Sequence, residues 1–141
     1  MSEKGLGYSA GAFSRPTIHE NELAPLGALP FHFDVQAITR RCPDTFPIHV
    51  AVHEISGISS PPGPYTEPHY HPIPELNLLI APPGELVYRL VLDGETQEVA
   101  SPPSVWIPAG VRHAANVICG RGTFVCALFI STADVFPDLR A

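Results

Sequence analysis

The chain has 141 residues, 45% of them hydrophobic and only 16% charged, a balance too apolar for a disordered chain and sufficient for one buried core. Eight Lys and Arg against fourteen Asp and Glu give a formal net charge of -6, and the basic residues are scattered apart from Arg40 with Arg41, which disfavours nucleic acid as a partner. The apolar runs fall far short of the roughly 20 residues that cross a bilayer, and the N-terminus lacks a basic segment followed by a hydrophobic one. The expectation is a cytoplasmic protein with no membrane partner.

Seventeen prolines and eleven glycines cut the apolar segments into pieces of about five to nine residues bounded by turn chemistry, which is a β pattern. Residues 1–25, with Gly5, Gly7, Gly11 and Pro16, read as an N-terminal arm or flexible tail, ordered only by lying on another subunit or on the body of the protein. Residues 26–141 form one domain. Helical spacing of apolar residues survives only around 35–41, so helix is minor. Residues 47–55 alternate Ile48, Val50 and Val52 with His49, Ala51 and His53, the period of a half-buried strand. Residues 59–64 are a Pro/Gly loop. Residues 86–92 and 97–99 flank Asp93-Gly94, a pair suited to the left-handed positions of a tight hairpin turn. Further strands are read at 105–107, 114–118 and 123–130, closely spaced as in an antiparallel sandwich or barrel. Cys42, Cys119 and Cys126 are too few for a disulfide framework and read as free structural thiols in a reducing compartment.

The stretch Pro68-His69-Tyr70-His71-Pro72-Ile73-Pro74-Glu75 carries chemistry. Residues two apart on a strand share a face, so His69 and His71 present both imidazoles in one direction, and Glu75 can return to meet them. Later, Pro108-Ala109-Gly110-Val111-Arg112-His113 places a histidine just after a chain-reversing turn, where it could supply a fourth ligand. Such an N/O set suits one divalent transition metal, Fe first with Mn, Ni, Zn or Cu as alternatives, over Ca or Mg. Positions left over for water or substrate make the site an open, reactive one.

With these residues the sequence resembles the cupin superfamily. Gly63, His69, His71 and Glu75 fall at the spacings of its first motif, G-x5-H-x-H-x3,4-E-x6-G, and Pro108, Gly110 and His113 match its second, G-x5-P-x-G-x2-H-x3-N. The resemblance covers residues 48–130. It implies an all-β, double-stranded β-helix (a jelly-roll barrel) over 26–141, in a small single-domain cupin holding metal through His69, His71, Glu75 and His113. Three positions depart from the pattern: Gly84 comes two residues late, Pro102 replaces the opening glycine of the second motif, and Asn116 lies one residue early. These positions shape turns and leave the four ligands intact. The family also implies a homodimer that exchanges edge strands or arms, a use for the N-terminal segment because jelly-roll edges need covering.

Strand phase extends the site. If Glu75 points inward, so do Asn77 and Leu79, while Leu76, Leu78 and Ile80 pack outside. Tyr70 alternates outward between the ligand histidines. Asn77, Tyr88, Arg89 and Trp106 are expected to contact substrate, and Arg112 to border the cavity. His19, His32, His49 and His53 belong to neither motif; His49 and His53 share one strand face and read as surface histidines, with pocket lining as the alternative. The resulting expectation is a dioxygenase-like, metal-dependent enzyme acting on a small metabolite that chelates through adjacent oxygens, with Glu75 also moving a proton. A Lewis-acid isomerase, cyclase or decarboxylase is the alternative enzyme, and a non-catalytic small-molecule-binding cupin the alternative class.

Overall fold

The computed structural model describes residues 15–43 and 48–128. Among them the strands are β1 (Glu22–Leu23), β2 (Ile38–Cys42), β3 (His49–Ile58), β4 (Glu75–Ile80), β5 (Leu86–Leu92), β6 (Glu95–Ala100), β7 (Ser104–Ile107) and β8 (His113–Leu128). One short 3-10 turn at Leu26–Ala28 is the helical content of the described residues, so no helix there is long and apolar enough to cross a membrane.

Every strand pairing is antiparallel, and β8 is the spine of the sheet. Its first half pairs with β5, from His113 opposite Leu92 to Gly120 opposite Leu86. Its second half lies between β3 and β4, so that Phe124 stands opposite both His53 and Leu79. The order β1-β2-β3-β8-β4-β7, with β5 and β6 branching from β8, folds into a jelly-roll barrel. Alternation fills the interior: Glu75, Asn77 and Leu79 of β4 and Leu86, Tyr88 and Leu90 of β5 are buried, while their neighbours are less so or exposed. Each fully buried large apolar side chain contributes about 1.5–3 kcal/mol.

The expected hairpin is present, with Asp93 at φ 53° and Gly94 at φ 85° joining β5 to β6. Two expectations are corrected. The 35–41 region is not helical: Ile38–Cys42 is a strand that buries Ile38 and Arg40 and exposes Thr39 and Arg41. The flanking strands offer backbone partners on both edges, and those bonds override a weak helical spacing. The strands read at 114–118 and 123–130 are one continuous element, β8; residues 129–130 lie outside the described residues, as does Pro47 of the 47–55 strand. Of the N-terminal arm, residues 1–14 lie outside the described residues, while Glu22–Leu23 pairs with Arg41 and Cys42.

Gly120-Arg121-Gly122 looks like a turn because glycine usually ends a strand, yet here it bends one. Gly120 (φ 105°) lets β8 pass directly against the Glu85 carbonyl, and a Cβ at this position would overlap that oxygen; Gly122 (φ 147°) would meet the Ile80 carbonyl at 2.8 Å. Gly120→Ala is therefore expected to destabilise the fold by about 3 kcal/mol through left-handed strain and overlap. Urea denaturation checks this, and an unchanged midpoint would contradict the bend.

Candidate metal centre

His69 and His71 sit in the loop between β3 and β4, and His113 opens β8. His69 and His113 form an isolated antiparallel bridge in which each backbone N–H donates to the other's carbonyl, at 3.0 and 2.8 Å. Residues paired in this way direct their side chains to one face. The Gly110 N–H donates to the His71 carbonyl at 2.8 Å, tying the second histidine to the turn before His113. The loop is fixed further back by Asn116, whose Oδ1 accepts from the backbone N–H groups of Tyr65 (2.7 Å) and Thr66 (3.0 Å). The asparagine displaced by one residue from the motif is thus the clamp of the ligand-bearing loop.

These tethers bring three imidazoles together. Ring centroids are 4.9 Å apart for His69 and His71, 4.7 Å for His69 and His113, and 5.3 Å for His71 and His113. One nitrogen from each lies within 4.8 Å of the other two. Nδ1 of His69 donates to the Glu67 carbonyl at 2.7 Å and Nδ1 of His113 to the Val111 carbonyl at 2.9 Å. A carbonyl only accepts, so Nδ1 carries hydrogen in both rings and Nε2 is left for the centre of the cluster. That is how histidines are oriented for metal.

Glu75 lies beside two of these imidazoles. Its Oε1 lies 3.1 Å from His113 Nε2 and 3.4 Å from His71 Nε2, and its Oε2 accepts from Asn77 Nδ2 at 2.8 Å. Burial alone would raise the Glu75 carboxyl, but the bond and charge of His113, with the Asn77 bond, hold it at about 2. Burial likewise opposes the charged form of His113, and the bonds to Glu75 and Val111 outweigh it, so that group is raised. In His71 burial wins, and its value is lowered. Three imidazoles, with an ionised carboxylate beside two of them, therefore meet in one place.

The cluster opens into a cavity of about 290 Å³, with walls that include Leu26, Phe31, Ala51, Phe124 and Leu128. Phe31, at φ 66°, stacks on His69 with centroids 5.5 Å apart and planes within 3°. The β2–β3 part of the wall is polar, formed by Arg40, His49 and His53.

Several expected substrate contacts lie elsewhere. Asn77 is fully buried and holds Glu75 instead of lining the cavity. Tyr88 is also fully buried, stacked behind the cavity-lining Phe124 at 4.4 Å. Arg89 alternates outward between Tyr88 and Leu90, and Trp106 is 56% exposed on β7. Arg112 Nη2 donates to the Pro68 carbonyl at 3.1 Å. Tyr70 is 59% exposed and borders the mouth of the cavity. His19 is exposed, whereas His32, His49 and His53 line the cavity. Arg40 is the residue that sequence reasoning missed. Its signal was hidden because the segment carried a trace of helical spacing and was given no strand phase; as a strand paired with residues 52–55, it puts Arg40 opposite His53 on the inner face.

No family model matches the sequence, and no curated protein matches it. Solved structures do resemble the fold. The polyketide cyclase RemF from Streptomyces resistomycificus is 20% identical at a TM-score of 0.53, over 84% of this chain and 88% of that one. FeII HppE is 15% identical at 0.54, over 78% of this chain and 57% of that one. A cupin-2 domain from Rhodospirillum rubrum is 14% identical at 0.50, over 79% and 70%. At such identities the likeness speaks to architecture: this chain has the cupin fold that its motifs imply.

Burial first, then the charge of Arg40, lowers His53 to about 3. The unfolded chain takes up a proton near the ordinary 6.5, which the folded chain refuses, so stability is full above that value and falls as pH drops toward 3. Between pH 7 and 5 the wild type is expected to lose about 2 kcal/mol more than His53→Phe. Urea denaturation at the two pH values measures this, and equal losses would contradict a neutral, buried His53.

Proposed function

We propose that this chain is a metal-dependent, dioxygenase-like enzyme that acts on a small metabolite chelating through adjacent oxygen atoms. The observation that carries this reading is the convergence of His69, His71 and His113 nitrogens beside the Glu75 carboxylate. The side chains fit a divalent transition ion, because both Nδ1 atoms with carbonyl partners leave Nε2 lone pairs for it, and the donor set is borderline nitrogen plus one carboxylate. A transition ion held there supplies Lewis acidity and, where it is iron, redox chemistry with O2.

The chain's own residues do the rest. Asn77 holds Oε2 of Glu75 and turns Oε1 toward His71 and His113, so Oε1 is the oxygen placed to exchange a proton with substrate beside the imidazoles. The apolar walls exclude water and strengthen the electrostatics of the site. A volume of about 290 Å³ lies at the small end of ligand cavities, which run roughly 300–1,000 Å³, and restricts the substrate to a small molecule. Half-buried His71 and exposed Tyr70 mark the open side.

Elemental analysis of purified protein should find about one transition-metal ion per chain, with His71→Ala reducing metal affinity by at least the roughly 10–100-fold typical of site mutations. The iron-loaded protein should consume O2 with small diketones or catechol-like acids. Turnover that proceeds unchanged under anaerobic conditions would replace the oxygenase reading by Lewis-acid chemistry, and a chain that takes up no metal would overturn the proposal.

A further inference from the structure

Arg40 is 5% exposed and lines the same cavity. Its Nη1 donates to the Ala24 carbonyl at 2.9 Å and its Nη2 lies 3.4 Å from His49 Nε2, while Nε has no partner. Among the described residues no carboxylate is within ion-pair distance of it; the pairs found there join His71 and His113 to Glu75. A guanidinium cannot shed its proton in a protein, and an unpaired buried charge is destabilising. Among the described residues the fold therefore retains a buried cation with no carboxylate paired to it. Beside it His53, 7% exposed, also has an unpartnered Nδ1, and burial keeps that ring neutral, able to donate or accept a hydrogen bond.

The sheet register relates this cation to the imidazole cluster. His49 stands opposite Leu128, and Leu128 opposite Glu75. The row from β3 through β8 to β4 spans two strand spacings, about 10 Å along the sheet. The Arg40 side chain reaches the His49 end of this row, and Glu75 occupies the other. A small molecule in the cavity can meet a cation at one end and the nitrogen and carboxylate donors at the other.

We propose that Arg40, with His49 and His53, anchors the carboxylate of the substrate, so that the substrate class is a small organic acid whose remaining oxygens face His69, His71 and His113. The planar guanidinium matches the two oxygens of a carboxylate, and the bound anion neutralises the buried charge. The inference rests on the reading of this cavity as a substrate site and deepens it. A purely structural alternative exists in the bond from Arg40 to Ala24, which pins the segment after β1 to β2.

The test uses the full chain after dialysis against a chelator, titrated calorimetrically with benzoate and with its uncharged analogue benzamide. Benzoate is expected to bind at least tenfold more tightly than benzamide, the size of one charge-assisted contact. Arg40→Gln should bring benzoate down to the affinity of benzamide while leaving benzamide unchanged. Arg40→Lys, which keeps the charge and loses the planar fork, should fall between. Equal affinities of the wild type for the two probes, no binding of either at millimolar concentration, or wild-type benzoate affinity in folded Arg40→Gln would overturn the proposal. Should Arg40→Gln fail to fold, the benzoate-to-benzamide ratio of the wild type and of Arg40→Lys decides. Because no metal is present, this outcome is independent of metal uptake: discrimination retained in a chain that never binds metal would sink the enzyme reading alone.

Discussion

Two backbone hydrogen bonds, exchanged between His69 and His113 across 44 residues of chain, make the site possible. They do for the loop before β4 and the start of β8 what a ladder does for neighbouring strands, setting both side chains on one face at a fixed separation. The remaining tethers depend on that pair. Gly110 can reach the His71 carbonyl, and Asn116 can clamp Tyr65 and Thr66, only because β8 starts where it does. β8 in turn reaches both sides of the barrel because Gly120 and Gly122 let it bend without breaking.

The interior this creates divides by charge. Near the imidazoles a carboxylate is kept ionised against its burial, its two oxygens shared among His71, His113 and Asn77. At the β2–β3 wall a cation is buried beside a histidine that stays neutral. Between them lie apolar side chains such as Ala51, Phe124 and Leu128. Beside apolar side chains a buried, unsatisfied polar group is costly, and a stable fold tolerates such groups where a ligand completes them.

Much of this was readable from the sequence, for identifiable reasons. His69, His71 and Glu75 were found from their spacing, although the two histidines lie in a loop held by the His69–His113 bridge and not on the strand whose period of two was invoked, and His113 was found because a Pro-x-Gly turn precedes it. The phase of β4 followed from Glu75, and the structure buries Asn77 and Leu79 as that phase requires. Trp106 and Arg89 were harder, since the inward face of a short strand or of one edged by charges depends on partners that the sequence does not display. The 35–41 segment misled through an accidental helical spacing, and with it went Arg40. The gap left between the strands read at 114–118 and 123–130 misled in the opposite sense, because glycines such as Gly120 and Gly122 serve a bend within a strand as readily as a turn.

The claim on which all else depends is that Nε2 atoms of three histidines and a Glu75 oxygen surround one point. X-ray absorption at the zinc edge, on protein loaded with one equivalent of zinc, reads this directly. The account predicts three imidazole nitrogens at about 2.0–2.1 Å with an added oxygen shell. A shell made of oxygen alone, or one containing thiolate sulfur at about 2.3 Å, would contradict it.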